Sequence, residues 1–435
     1  YQKASPESLF ETKARRTCVD TIGLLFEKQR KALYNSGYSE NLQPVSKDEI
    51  LKGIAAFISH IDASIAKNRR NDGLYHAYNT MEVREDGGIE VHNLDVMLEG
   101  QVAVLSSGSL SDDEAVNLCE SLKKSPLFRE DQYSYILYPN KELPRFLAKN
   151  QVSPSDAEGI LLLKTLLDQG DSSIIYKDAA GKCHFNPGFR NNKDLDKALS
   201  ELGKKNAAAT EEIIVQDRNK IMELYEQTFH HRSFTGRSGT FYAYEGLGSI
   251  YWHMVSKLML AVQENYMRAK GPAKEKLARI YYDVRKGIGF NKTPQVYGAF
   301  PTDPYSHTPA GQGAKQPGMT GQVKEEILTR WGELGVQIDE GRIRFVPELL
   351  RKSEIRADNT IEFSWCAIPV TYRFTKTDDR GQSTESEFVL GRAAKIILKM
   401  ADSSQTIDGD ALSPEYSSEV FRHTGTIKAI EVHIR

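Results

Sequence analysis

Residues 318–346 read GMTGQVKEEILTRWGELGVQIDEGRIRFV, and the chain changes character within this stretch. The apolar residues of Gln322–Leu334 have the spacing that predicts an amphipathic helix. From Val336 onward the pattern shortens to alternating runs separated by Gly, Asp, Asn and Ser, which predicts an antiparallel β domain over 336–435. The runs are Ile343–Val346, Thr360–Phe363, Val370–Phe374, Glu387–Leu390 and Ile427–Ile434.

Upstream of this stretch the sequence is mainly helical. Apolar periodicity predicts helices over 6–34, 47–69, 96–106, 112–124, 193–204, 209–228 and 250–269. Ser46 is a candidate N-cap, and 172–186 alternates like a hairpin around Ala180-Gly181. Helices on long aromatic loops followed by a β domain favour a mainly α protein: part of an (α/α)6 toroid over 1–335, then a β-sandwich over 336–435. Because the first residues enter a helical pattern directly, we expect residue 1 to be an interior point of a longer polypeptide.

The composition excludes several classes of function. The chain is 40% hydrophobic and 27% charged with a formal net charge of −2, so it has no electrostatic footprint for nucleic acid or for an anionic membrane surface. No apolar run approaches the roughly 20 residues that span a bilayer. The four cysteines are scattered and indicate neither a zinc site nor a disulfide framework. A reducing, cytoplasmic setting is the interpretation that this cysteine usage favours.

Two long loops carry polar groups suited to chemistry on sugars. In Arg69–Asn79, the carboxylate of Asp72 is flanked by aromatic residues, and partial desolvation would raise its pKa as a proton donor requires. The alternative is that Asn71-Asp72-Gly73 is only a turn. In 236–253, aromatic residues and glycines precede a helix that carries His253. Such a loop suits a sugar ring, although a histidine in an apolar helix is more often a core residue.

A third loop precedes the helix at Gln322. The Thr320 hydroxyl and the Gly321 N–H stand at the helix start, where they can form a small anion cradle. A plain helix N-cap is the alternative for this pair. Taken together, the order and spacing of the three loops are more specific than any one of them.

This succession resembles the catalytic half of the cellobiose-phosphorylase-like families, which include β-1,3-glucan phosphorylases. Asn71-Asp72-Gly73 matches their general-acid loop, Tyr251-Trp252-His253 takes the place of their phosphate-binding histidine, and Thr320-Gly321 matches their phosphate clamp. The sequence departs from the families in having Arg70 where a Trp is usual, and in a long insert at 126–190. The resemblance also implies an N-terminal β-sandwich and a phosphate-binding Arg upstream of this chain.

The resemblance implies inverting phosphorolysis of a β-glucan oligosaccharide, with β-1,3 linkage favoured, to give α-glucose 1-phosphate. Asp72 would be the acid, and His253, Thr320 and Gly321 would hold the inorganic phosphate, without any metal or organic cofactor. The families also suggest a homodimer. Candidates for sugar contacts are Tyr242, Tyr244, Glu245, Tyr138 and His307. Two rivals remain open: an inverting hydrolase of the same fold with Glu245 or Glu325 as base, and a non-catalytic glucan-binding module.

Overall fold

A computed structural model describes residues 5–38, 44–139, 144–205, 208–230, 248–318, 320–375, 387–389 and 391–435. The chain divides into two compact units. The first combines Tyr1–Leu137 with Ile250–Arg435, and the second is Tyr138–Ser249. The boundary predicted at residue 336 lies inside the first unit. The second unit is not among the predicted domains, because its helices have the same amphipathic pattern as the helices on either side.

The first unit begins with two long helices, a hairpin and a pair of shorter helices. The elements are α1 (Thr12–Ser36), α2 (Lys47–Lys67), β1 (Thr80–Val83), β2 (Ile89–His92), α3 (Leu98–Ser107), α4 (Asp112–Lys124), β3 (Phe128–Arg129) and β4 (Ser134–Tyr135). Ser46 and Glu49 form a reciprocal capping box at the start of α2, which confirms the predicted N-cap. No residue of α1 or α2 is buried, whereas α3 and α4 each bury several. In the described part of the chain, no helix combines the length and apolarity that crossing a membrane requires.

The second unit is a small helical body with a core of its own. The elements are α5 (Phe146–Lys149), α6 (Pro154–Glu158), α7 (Leu161–Gln169), β5 (Ile175–Lys177), β6 (Cys183–Phe185), α8 (Asn192–Lys205) and α9 (Ala208–Phe229). Phe185, Tyr225 and Phe229 contact one another within an apolar cluster to which α7, α8 and α9 contribute. Strands β5 and β6 pair antiparallel, so the predicted hairpin around Ala180-Gly181 is confirmed.

The chain returns to the first unit through a short strand and a buried helix. The elements are β7 (Ile250–Tyr251), α10 (Trp252–Arg268), α11 (Gly271–Lys286), α12 (Pro294–Tyr297), β8 (Tyr305–Thr308), β9 (Lys315–Pro317) and α13 (Thr320–Glu333). Strands β7, β8 and β9 form one sheet in that order. Helix α11 is not among the predicted helices. Its Gly271-Pro272 start has the composition of a break, yet proline is compatible with the first turn of a helix.

Helices α10 and α13 lie side by side and run in the same direction. Two contacts between them show this, one near the start of both helices and one about three turns further along both. A Cβ on Gly321 would lie 2.7 Å from the imidazole of His253, and a Cβ on Gly332 would lie 2.2 Å from the Gln263 side chain. The Gln263 amide also donates to the Thr329 carbonyl at 2.8 Å. The packing therefore brings the N-terminal ends of both helices together.

The last part of the first unit forms a mixed five-stranded sheet. The elements are β10 (Val336–Asp339), β11 (Arg342–Phe345), β12 (Thr360–Trp365), β13 (Ile368–Phe374), β14 (Ala393–Lys399), β15 (Ser404–Asp408), α14 (Pro414–Phe421) and β16 (Ala429–Ile434). The sheet order is β12-β13-β16-β14-β15, and β16 is parallel to β13. This pair departs from the antiparallel arrangement predicted for the domain. The connection that contains α14 carries the chain back, so that β16 enters the sheet between β13 and β14.

The β region shares its core with the end of α13. Trp331 on α13 packs edge to face on Trp365 of β12, with ring centroids 4.8 Å apart. Leu334 belongs to the same apolar cluster as the sheet, and its carbonyl accepts a hydrogen bond from the Tyr372 hydroxyl at 2.6 Å. This continuous core explains why residue 336 does not separate two compact units.

Candidate active site

Asp72 lies in a tight turn that joins the end of α2 to the hairpin. The Gly73 N–H donates to the Arg70 carbonyl at 3.2 Å, and the Arg70 N–H donates to the Leu74 carbonyl at 2.8 Å. Gly73 has φ +83°, a conformation that favours glycine. The two residues that follow are buried. The Gln101 side chain of α3 accepts a hydrogen bond from the Tyr75 N–H through Oε1 and donates one to the Tyr75 carbonyl through Nε2. Asn71-Asp72-Gly73 is therefore a turn, and one held firmly against α3.

The electrostatics of Asp72 differ from the prediction. Its side chain is 48% exposed and forms a bidentate ion pair with Arg70, in which Nη2 lies 2.9 Å from Oδ2 and Nε lies 3.1 Å from both oxygens. These hydrogen bonds from Arg70 hold the pKa of the Asp72 carboxyl below its ordinary value. The predicted rise by desolvation is wrong for this structure, because the Asp72 side chain stays half exposed and is paired with Arg70.

His253 stands in the first turn of α10 and is nearly enclosed. Its side chain is 19% exposed, and Nε2 lies 3.6 Å from Oε1 of the buried Glu325 on α13. This separation is too long for a hydrogen bond, so the buried Nε2 has no hydrogen-bond partner among the described residues. Burial is the main cause that lowers the pKa of His253; Lys257 lowers it further, and Glu325 opposes both. Nε2 therefore faces the Glu325 carboxylate at ion-pair distance rather than at hydrogen-bond distance.

The imidazole of His253 lies directly against Gly321. A Cβ at position 321 would approach both Cε1 and Nδ1 at 2.7 Å, so only glycine fits here without displacing the ring. Gly321 is in the first turn of α13, where backbone N–H groups have no acceptor within the helix. The structure thus joins two helix N-termini, each with a positive dipole end, at one imidazole. The backbone of Thr320 begins α13, and its side chain lies outside the described part.

His307 reaches the same cluster through the strand pair β7–β8. Tyr251 is the register partner of His307, and their rings stack 5.0 Å apart at an interplanar angle of 17°. The Tyr251 hydroxyl lies 3.5 Å from Nδ1 of His253. Ser306 Oγ lies 2.6 Å from Nδ1 of His307. The structure therefore brings His253, Gly321 and His307 together around Tyr251; these four residues are called the histidine cluster below.

Two half-buried basic residues near the histidine cluster, Arg129 and Lys292, are not among the predicted site residues. Arg129 donates to the Thr308 carbonyl at 2.8 Å, and the Trp252 indole N–H donates to the Thr308 hydroxyl at 2.9 Å. The Lys292 ammonium lies 4.5 Å from the centre of the Trp252 ring. Burial lowers the pKa of Lys292 to about 7, and the charge of Arg129 contributes. Nothing in the spacing of these residues along the chain signals that they meet.

The remaining predicted site residues are Tyr242, Tyr244, Glu245, Tyr138 and Asp72. Tyr242, Tyr244 and Glu245 lie outside the described residues. Tyr138 is half-buried and is the first residue of the second unit. The hydrogen bonds described for the Asp72 side chain are to Arg70 and to the Leu74 N–H, and none of them reaches the histidine cluster.

Comparison with known families concerns the second unit. Residues 143–232 match the family described as GH149 phosphorylase insertion domain 2. The match supports a glycoside phosphorylase. It lies wholly within Tyr138–Ser249, and it begins and ends later than the long insert predicted at 126–190. None of the predicted site residues falls within 143–232. Among curated proteins, none matches the chain.

Proposed function

We propose that this protein is an inverting phosphorylase of β-glucan oligosaccharides, with β-1,3-linked glucans as the favoured substrates. The observation that carries the proposal is the contact between His253 and Gly321 at two converging helix N-termini, a setting that stabilises an anion. The match of residues 143–232 to a phosphorylase insertion domain supports the same reaction class. The helices of the first unit would belong to an (α/α)6 toroid, and the C-terminal sheet to a β-sandwich.

In the proposed reaction, Asp72 gives its proton to the glycosidic oxygen as the bond to C1 breaks. Phosphate attacks C1 from the opposite face, so the product is α-glucose 1-phosphate and a shortened glucan. His253, the Thr320 hydroxyl and the Gly321 N–H would hold the phosphate. Phosphate is an anionic nucleophile, so the reaction needs no carboxylate base, no metal and no organic cofactor.

The Arg70–Asp72 pair sets a condition on this mechanism. A general acid must carry a proton before the reaction, whereas Arg70 stabilises the charged carboxylate. Exposed ion pairs contribute little free energy, because water screens them and two side chains must be ordered. A sugar bound over the turn can therefore displace Arg70 from Asp72 at small cost and exclude the water that favours the charged form.

One observation favours a second candidate, an inverting β-glucan hydrolase. Glu325 is a buried carboxylate 3.6 Å from His253, and a carboxylate near the anion site repels phosphate and can act as a base toward water. However, Oε1 of Glu325 also lies 3.0 Å from the Lys324 ammonium, and its side chain is only 4% exposed. A base that activates water needs a water molecule within reach, so this burial favours the phosphorylase.

The test is a product assay on the intact protein with laminari- and cello-oligosaccharides, with and without inorganic phosphate. The proposal predicts glucose 1-phosphate only when phosphate is present, and faster turnover of the laminari series. Free sugar without phosphate would establish the hydrolase, and glucan binding without either product would establish a binding module. We further propose a cytoplasmic homodimer whose partners are oligosaccharide and phosphate, without nucleic acid or membrane.

A further inference from the structure

Glu325 and His253 form a buried pair that the reaction described above does not use. Both side chains are at least four-fifths enclosed, and Oε1 of Glu325 lies 3.6 Å from Nε2 of His253. We propose that Glu325 is a positioning residue of the phosphate site, which favours protonation of the His253 imidazole when phosphate binds and directs the ring at the phosphate. This inference rests on the proposed phosphorylase function.

The two ring nitrogens of His253 face different groups. Nε2 faces Glu325, while Nδ1 lies on the side of Gly321 and of the Tyr251 hydroxyl, 3.5 Å away. A carboxylate opposite Nε2 requires an N–H there, because a lone pair would repel it. With Nε2 protonated, Nδ1 can donate a hydrogen bond to phosphate only when the ring carries a second proton.

Glu325 is the group that favours this second proton. Burial and the ammonium groups of Lys257 and Lys324 oppose a charged imidazole, and the Glu325 carboxylate stabilises it. A bound phosphate would place a second anion beside the ring, so phosphate and Glu325 act in the same direction. Within the described part of the chain, the charged or titratable groups around His253 are Lys257 on α10, Lys324 and Glu325 on α13, Tyr251 on β7, and His307 on β8 across the Tyr251 ring.

The burial of the Glu325 carboxylate explains why it has cationic partners. A buried carboxylate must be paired, and Lys324 supplies one cation at 3.0 Å while its side chain remains 65% exposed. The imidazole of His253, once protonated, would supply a second cation at 3.6 Å. The two partners together compensate for the burial of the carboxylate.

Glu325→Gln in the intact protein tests the assignment, because it removes the charge and keeps the shape. The Michaelis constant for phosphate at neutral pH should rise about tenfold, since hydrogen bonds to a charged group are roughly twice as strong as neutral ones. At saturating phosphate and glucan, kcat should stay close to that of the wild type. The phosphate KM of the variant should also begin to rise at a lower pH than in the wild type, because the imidazole then loses its second proton more easily.

Glu326→Gln is the matched control. Glu326 is the next residue on α13, is half-buried, and accepts a hydrogen bond from the Gln322 amide at 2.8 Å. This variant should keep the wild-type KM for phosphate. If thermal unfolding shows that Glu325→Gln does not fold, Glu325→Asp keeps the charge at a greater distance. Its phosphate KM should then lie between the wild type and the tenfold increase.

The outcomes separate this inference from the proposed function. No glucose 1-phosphate from the wild-type protein would overturn both. Phosphorolysis by the wild type together with an unchanged phosphate KM in Glu325→Gln, or an equal change in Glu326→Gln, would overturn only the role of Glu325. Loss of phosphate-independent sugar release in Glu325→Gln would instead identify Glu325 as the base of a hydrolase.

Discussion

The chain builds the same turn twice, at Arg70-Asn71-Asp72-Gly73 and at Arg84-Glu85-Asp86-Gly87. In each, the glycine N–H donates to the arginine carbonyl, at 3.2 Å in the first and 3.0 Å in the second. In each, the aspartate accepts from the N–H two residues on, at 3.1 Å and 2.9 Å. The aspartates are 48% and 51% exposed. The local sequence is therefore enough to form this turn in both places, but it does not by itself make the aspartate a general acid.

The turns differ in what surrounds them. Arg70 forms a bidentate ion pair with Asp72. Arg84 lies 3.9 Å from Asp86 and instead forms an ion pair with Glu90 at 3.0 Å. The first turn is fastened to the buried helix α3 through Gln101. The second is the tip of the β1–β2 hairpin, next to α1, none of whose residues is buried. The attachment of its turn to helix α3 is what distinguishes the candidate acid Asp72 from Asp86.

The largest expected difference between the two turns is catalytic. Asp72→Asn should lower kcat/KM for phosphorolysis about 10²–10⁴-fold, because it removes the proton donor. Asp86→Asn is the control, since it makes the same change in the same kind of turn, and it should keep wild-type activity. Initial rates of glucose 1-phosphate formation measure both. Full activity in Asp72→Asn would remove Asp72 from the mechanism.

A smaller difference should appear in the pH dependence. Arg70 lowers the pKa of Asp72, so Arg70→Gln should raise that pKa and keep Asp72 protonated to higher pH. The alkaline limb of the kcat/KM profile should then move to higher pH, while the limb of Arg84→Gln stays in place. A pH series of kcat/KM for the glucan measures the shift. An unmoved limb in Arg70→Gln would mean that Asp72 does not supply the proton.

The smallest expected difference is in stability. Gly73 and Gly87 have φ +83° and +82°, and an alanine in this region costs about 1–2 kcal/mol. A Cβ at Gly73 would also lie 2.7 Å from Ser121 Oγ, whereas a Cβ at Gly87 would meet no atom within 4 Å. Gly73→Ala should therefore lower the free energy of unfolding more than Gly87→Ala does. Equal losses in urea unfolding would show that the first turn is no more tightly packed than the second.

Features set by neighbouring residues could be predicted from the sequence. The capping box at Ser46 and the hairpin around Ala180-Gly181 depend on side chains within a few positions of each other. The long helix that begins at Trp252 follows from its apolar periodicity. Helix α11 could have been predicted in the same way, because Leu277, Ala278 and Tyr281 follow its proline at helical spacing.

Features set by distant residues could not be predicted in the same way. The parallel pairing of β13 with β16 depends on the path of the whole C-terminal region. The approach of Glu325 to His253 depends on the packing of α13 against α10. Arg70 precedes Asp72 by two residues, as Arg84 precedes Asp86. The sequence alone does not show that Arg70 forms a bidentate pair with Asp72 while Arg84 pairs with Glu90 instead, because the surroundings of each turn decide this.

Phosphorus NMR of the intact protein with a laminari-oligosaccharide and inorganic phosphate follows phosphorolysis and its stereochemistry in one experiment. Inverting phosphorolysis should make the signal of inorganic phosphate fall as that of α-glucose 1-phosphate grows. Appearance of the β anomer would contradict inversion. Unchanged phosphate while the glucan is shortened would contradict phosphorolysis itself.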